Sequence, residues 1–351
     1  PITTCYLDVD GRRLVRQQDV EQELETLLRS ARQRADGEPS VLEDLARIEK
    51  HVRAGVDRHG IRGLVIIASA ANDLWEVISL PVPVRSQVVI NSSPAVGQLE
   101  SIVQGHEPIG VLLADRQRAR LFVFELGELV EHSELLDELP RDYDSRGQSE
   151  RGTPDHHVEE LAHQHLRHAA KAAFQVFQER PYEHLVIGAS DAVASELEAA
   201  LHPYLRERLG GRLHVAIDAS APAVQEAAEA VEVELEKARD AAIVERLREA
   251  AATGRKGVAG LADTLEALNE HRVEHLVVSK GFTKEGWRCS ATDSLHAVGP
   301  NHPTTGAPMT RVPDVVEDAI EVALATKVPV TICVADADLD VLGRIGALLR
   351  Y

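Results

Sequence analysis

The sequence is poor in aromatic residues, in cysteine and in basic charge. Only 3% of its 351 residues are Phe, Trp or Tyr, so its cores have to be built from Leu, Val, Ile and Ala. The three cysteines, Cys5, Cys289 and Cys333, are odd in number and far apart. That argues against a disulfide framework and fits a reducing cytoplasm. Cys5 and Cys333 sit in apolar, strand-like runs and read as small buried hydrophobes. No apolar run approaches the roughly 18 residues that a membrane span needs, and residues 1–6 lack a basic stretch followed by an apolar one. Neither a membrane partner nor a secretory signal is expected. There is no P-loop, no Rossmann fingerprint and no Gly-x-Ser-x-Gly elbow, so nucleotide hydrolysis and esterase chemistry have no support.

The formal net charge is −19. Affinity for phosphate rests on Lys and Arg, so this balance argues against non-specific nucleic-acid binding, and no DNA partner is expected. It describes the average surface, however. One local basic face can still contact RNA, and acidic faces suit a basic protein partner.

What is present is a globular composition, 44% hydrophobic and 27% charged, in a chain too long for one ordinary core. Residues 19–33 and 41–59 carry apolar positions at helical spacing, with Gly60 as a C-cap. Residues 64–68, 75–80 and 88–90 read as strands. Residues 109–114, 119–125 and 128–131 form an antiparallel meander, separated by turns at 115–118 and Gly127. After a polar stretch, 137–156, a long helix is predicted from about Asp155 to Glu179. A strand at 184–188, a helix at 190–209 and a strand at 214–217 follow. A long helix over 223–252 opens the last third. After it come a helix at 260–270, a strand at 275–278, an irregular segment at 279–312, a helix at 314–326, a strand at 330–334 and a closing helix at 339–349. The alternation predicts an α/β protein of three modules in series, with mixed sheets packed against helices. The expected boundaries are 1–104, 105–222 and 223–351.

The most informative segment reads Arg141-Asp142-Tyr143-Asp144-Ser145-Arg146-Gly147-Gln148-Ser149-Glu150-Arg151-Gly152. It lies after the meander and before a helix carrying His156, His157, His163, His165, Arg167 and His168. Taken alone, Arg-Gly-Gln is a common tripeptide of polar loops. In this position it resembles the middle domain of archaeal and eukaryotic class-1 release factors, where the same meander leads to a Gly-Gly-Gln-Ser loop and a helix rich in Arg, His and Ala. Residues 254–268, a short glycine-bounded stretch leading into a helix, resemble the start of that family's third domain, and residues 273–278 follow as they do there. The resemblance covers about residues 107–351 and identifies the chain as a member of the bacterial branch of the release factor/Pelota superfamily. Within that branch it looks most like Balon-type hibernation factors.

The resemblance implies release factor/Pelota-like middle and C-terminal domains and a ribosome-bound protein. Such a protein would occupy the A site and meet rRNA through Arg141, Tyr143, Arg146, Gly147, Gln148, Ser149, Arg151, His156, His157, Arg255 and Lys256. It also implies elongation factor Tu as a partner and no cofactor. In intact members the two glycines permit a backbone that a Cβ would block, and the Gln amide helps to position the attacking water. Here Arg146 replaces the first Gly. A positive φ there would be costly for Arg, which turns the expectation from hydrolysis toward binding and translational silencing. Gln148 is retained, which keeps a peptidyl-tRNA hydrolase as the alternative. An acidic scaffold acting away from the ribosome is a third reading.

Two further groups carry residue types that can bind metal. No two histidines of the 156–168 set are four apart, so a zincin pair is absent. Cys289, with only His296 and His302 as partners, falls short of the four ligands of a structural zinc. Residues 279–312 therefore read as a degenerate ribbon without metal. Arg116, Arg118 and Arg120 at the hairpin are candidate RNA contacts, although Arg on a turn is more often solvated.

Overall fold

The computed structural model describes residues 1–35, 37–136, 154–254, 256–334 and 337–351. The first module runs β1 (Ile2–Asp8), α1 (Gln17–Arg34), α2 (Pro39–Arg53), β2 (Gly63–Ser69), β3 (Leu74–Leu80), β4 (Gln87–Asn91) and α3 (Gly97–Gly105). Its strands form an antiparallel sheet in the order β3-β2-β1-β4. Val20, Leu24, Leu28 and Ala31 of α1, and Val41, Leu45, Ile48 and Val52 of α2, recur every three or four residues. Each set makes one apolar stripe, packed on Cys5, Leu7, Leu64 and Ile66 of the sheet. Each fully buried Leu or Ile there contributes about 1.5–3 kcal/mol. The second helix stops at Arg53, short of the expected residue 59. Gly55 follows at φ 101°, a left-handed backbone that glycine adopts most readily, and Gly60 bends the chain only later.

The middle part runs β5 (Ile109–Ala114), β6 (Arg118–Glu125), β7 (Glu128–Leu136), α4 (Pro154–Glu179), β8 (His184–Gly188), α5 (Asp191–Ala200), α6 (Pro203–Arg206) and β9 (Leu209–Leu213), and continues into the long helix α7 (Ala221–Thr253). The sheet order is β7-β6-β5-β8-β9. The meander β5–β7 is antiparallel, as expected, and β8 and β9 add in parallel. The single helix expected over 190–209 is two helices. His202 is extended, as a residue before proline must be, and Pro203 then starts α6. The next strand lies at residues 209–213, not 214–217. Val215 and Ile217 pack against the core from outside the sheet.

The last part runs β10 (Gly257–Ala259), α8 (Leu261–Asn269), β11 (Val273–Ser279), β12 (Gly286–Cys289), β13 (Ser294–His296), β14 (Thr310–Val312), α9 (Val315–Ala325), β15 (Val330–Cys333), α10 (Ala337–Val341) and β16 (Ile345–Leu349). A mixed sheet has the order β10-β16-β11-β15, and a small antiparallel sheet the order β13-β12-β14. Two expectations are corrected here. Residues 286–312 contain three short strands where an irregular segment was predicted. The closing helix is instead a short helix followed by a strand. Gly343 (φ 91°) and Arg344 (φ 67°) break the helical path, and all five residues of β16 are buried in the sheet.

By contacts the chain divides into two compact units. One comprises residues 1–104 together with 237–351, and the other residues 105–236.

Candidate functional site

The 105–236 unit carries the segment that the sequence singles out. Its sheet is buried on both faces. On one, α4 and α5 cover Leu112, Ala119, Leu121, Leu185 and Ile187. On the other, Val224 and Ala228 at the start of α7 cover Val111, Phe122 and Val186. Helix α4 seats itself through Ala162, His165, Leu166, Ala169, Ala170 and Ala173, a stripe at helical spacing in which small side chains let the helix approach the strands closely. Tyr182 closes the far end of this layer. Its ring lies where a Cβ on Gly110 would come within 2.9 Å, and its hydroxyl donates to the Ala173 carbonyl at 3.1 Å. Burial pushes the phenol above its ordinary range.

The chain leaves this layer at β7, an edge strand, and re-enters it at the first turn of α4. Arg141, Tyr143, Arg146, Gly147, Gln148, Ser149 and Arg151 lie outside the described residues, and so do the side chains of His156 and His157, which belong to the first turn of α4. Arg255 also lies outside the described residues. Lys256 is exposed, and its carbonyl accepts from Leu349 N at 2.9 Å.

The described histidines of α4 do not share one polar face. His165 is 1% exposed and belongs to the packed stripe, whereas His163 and His168 face outward. His163 Nδ1 meets Glu196 Oε2 at 3.2 Å. Of the three hairpin arginines, Arg120 donates to the carbonyls of Ile217 (3.0 Å) and Ala219 (2.6 Å), with its guanidinium over the Phe122 ring. Arg118 pairs with Asp115 at 3.4 Å. Arg116 is exposed.

Two features of the 105–236 unit escaped the sequence reading. One is an acidic group on α7. Glu232 is half-buried and pushed up to about 7, first by burial and then by Glu229, Glu236 and Glu107. The i, i+3 and i+4 spacing of the α7 glutamates was a readable signal for it. The other is an aromatic row, Phe174–His202–Tyr204, in which Phe174 is far in sequence from the other two.

In the other unit, Cys289 ends β12 at a hairpin. Its thiol is held below its ordinary value by the Thr292 hydroxyl, with the amides of Thr292 and Ala291 adding to the effect. A polar chain continues from Thr292 to Ser294 (2.6 Å) and on to His296 Nε2 (2.9 Å). His302 stands at 4.7 Å between ring centroids, and its Nδ1 accepts from the amides of Thr304 and Thr305. Among the described residues no group of three or more His, Cys, Asp or Glu side chains is arranged to hold a metal ion.

The same unit contains a clasp between α9 and the segment joining β4 to α3. Asp318, fully buried, accepts from Asn91 Nδ2 at 2.7 Å and from Ser93 Oγ at 3.0 Å, and Ser92 lies at 3.4 Å. Glu317 accepts from the amide of Gly97, the first residue of α3, at 3.0 Å. It thereby caps a helix distant in sequence. Asp314 caps α9 itself, accepting from Val316 N and Glu317 N. Burial raises all three carboxyls, Asp314 to about 6 and Glu317 to about 7.

Residues 94–233 match the model of bacterial archaeo-eukaryotic release factor family 10. The matched span runs from the end of the 91–96 segment through the Arg146-Gly147-Gln148 sequence to the first half of α7. Among solved structures, the chain is similar to an archaeal translation termination factor, aRF1, at 15% identity over 100% of this chain and 92% of that one (TM-score 0.28). It is similar to Archaeoglobus fulgidus Pelota at 16% identity over 82% and 79% (TM-score 0.37). It is also similar to S. cerevisiae Dom34, a translation termination-like factor, at 9% identity over 79% and 74% (TM-score 0.42). No protein of curated function matches the chain. The family likeness therefore rests on residues 94–233, the part of the chain that carries the Arg146-Gly147-Gln148 sequence.

Proposed function

We propose that this protein is a ribosome-binding factor that occupies the A site, reaches toward the peptidyl transferase centre and silences idle ribosomes, in the manner of the Balon-type factors it resembles. The supporting observation is a family match that spans the loop segment while the loop itself reads Arg146-Gly147-Gln148, with an arginine where the catalytic members have their first glycine. A binding factor needs the loop's reach and polarity but not its unusual backbone. Arg146 then serves as a phosphate contact, its planar fork suited to two phosphate oxygens at once. Arg141, Arg151 and Lys256 would add charge to the same RNA, and elongation factor Tu is the proposed partner that accompanies the protein to the A site.

Cosedimentation with vacant ribosomes at physiological salt, with and without elongation factor Tu, tests this reading. Co-pelleting that weakens for Arg146→Ala is the expected result. No binding under either condition overturns it and leaves an acidic scaffold acting elsewhere.

The retained Gln148 favours a second reading, peptidyl-tRNA hydrolysis in release or rescue. Single-turnover assays on ribosomes carrying peptidyl-tRNA separate the two. Release abolished by Gln148→Ala supports the hydrolase, and binding without release supports silencing.

A further inference from the structure

We propose that the surface around Tyr204, in the 105–236 unit, is a stacking site for an unpaired RNA base, an inference that deepens the ribosome-binding reading and rests on it. Phe174 of α4 stacks on His202 with ring centroids 3.8 Å apart and planes 17° apart, and Tyr204 stands 5.1 Å beyond His202. The row is fixed before any ligand arrives. His202 is the N-cap of α6, its Nδ1 accepting from the Tyr204 amide at 3.3 Å, and Pro203 restricts the backbone between them. Every inner ring is covered by its neighbour. Tyr204, at the outer end, is 57% exposed. Its ring is tilted 57° to that of His202, and an exposed aromatic side chain with only two side-chain torsions is a low-entropy platform for a flat partner.

The neighbouring charge identifies the partner. The whole chain has 57 acidic residues to 38 basic ones, yet residues 202–213 contain three arginines and one glutamate. Arg212 is committed to Glu198 at 2.8 Å and Asp191 at 3.4 Å. Arg206 and Arg208 are held differently. Arg206 donates to the carbonyls of Ala199 (2.9 Å) and Leu201 (3.2 Å). Arg208 donates to the Tyr204 carbonyl at 3.1 Å and lies over the Phe177 ring. Backbone carbonyls orient these two guanidiniums without neutralising them; Arg208 Nε is buried, so phosphate contact falls mainly to the exposed Arg206. An open aromatic face beside two oriented, uncancelled arginines matches a nucleotide, whose base stacks while its phosphate pairs. An apolar protein segment would gain nothing from the arginines.

The test uses the full-length chain, vacant ribosomes and a fluorescently labelled unstructured 12-nucleotide RNA. Tyr204→Ala is expected to weaken RNA binding about 10-fold or more, while Tyr204→Phe and Tyr204→Trp retain it, which separates stacking from a structural role. Arg206→Ala should reduce the slope of log affinity against log salt by about one phosphate contact. A photo-crosslinking residue at position 204 should label RNA. Wild-type protein that binds ribosomes but is unaffected by Tyr204→Ala, or crosslinks only to a ribosomal protein, overturns the site and leaves the ribosome reading standing. If ribosomes are not bound at all, the ribosome reading fails by itself. The stacking site then stands or falls on whether oligonucleotide binding depends on Tyr204.

Discussion

Two groups of raised carboxyls, one in each unit, reach the same result by different routes. In the clasp, Glu317 is held near 7 by burial, with Asp314 and Asp318 adding to it, and the amides of Gly97 and Val96 that bond to it oppose the shift. On α7, Glu232 is also near 7, but burial is reinforced there by Glu229, Glu236 and Glu107. The clasp is a hydrogen-bonded network, in which donors from another element offset part of the cost of desolvation, while Asn91 Oδ1 is left buried without a partner. The α7 group is a row of like charges, in which repulsion adds to burial at Glu232. The two places share burial and like-charge repulsion and differ in the backbone donors, which oppose the shift only at Glu317. In the clasp the raised value accompanies a tight joint, and on α7 it marks stored repulsion.

The largest expected effect comes from breaking the clasp. Asp318→Ala removes the acceptor of the buried Ser93 hydroxyl and leaves the Asn91 amide only the Asp314 carbonyl at 3.2 Å, and should destabilise the chain by about 2 kcal/mol or more. Urea denaturation checks this, and a loss under 1 kcal/mol would show that the joint is not a network. Glu317→Gln keeps one acceptor for the Gly97 amide. It should cost about 1 kcal/mol at most above pH 7.

The wild-type pH profile tests the common feature of the two groups. Folded-state values near 7 for Glu232 and Glu317 and near 6 for Asp314 lie above the ordinary 4.5 and 3.8. The folded state then binds more protons than the unfolded state between about pH 4 and 7. Stability from these groups is complete below that window and is lost as pH rises through 7. Denaturation midpoints should fall from pH 5.5 to pH 8. A flat profile would contradict the burial of these groups.

The smallest effect carries the opposite sign. Glu232→Gln removes stored repulsion and should stabilise the protein at pH 8, by about 1 kcal/mol or less after allowance for solvent screening of a half-buried group. At pH 4.5 it should do nothing. Stabilisation that is equal at both pH values would assign the effect to helix propensity instead.

Much of this was legible in the sequence. The meander, the long helices and their apolar stripes follow from periodicity alone, because burial of one face imposes a period of 2 or 3.6 wherever it occurs. The family match across residues 94–233 agrees with a resemblance carried by the order of short motifs around Arg146-Gly147-Gln148. Periodicity failed where a segment is buried on all sides or too short to repeat. Residues 345–349, expected as helix, are a strand because Gly343 and Arg344 turn the chain into the sheet. Gly210 and Gly211 hid β9, since glycine carries no side chain to signal a face.

The local chemistry of the sequence by itself determined the α/β class, most of the longer elements and the position of the Arg-Gly-Gln segment between a strand and a helix. Only the tertiary structure decided which polar residues meet. Asn91 and Asp318 are 227 residues apart, and Phe174 reaches Tyr204 only through His202 and the turn at Pro203. Spacing along a chain specifies which side chains share a face of one element, but contacts between elements depend on how the faces pack. That packing set His165 inside the layer and left Tyr204 at its surface.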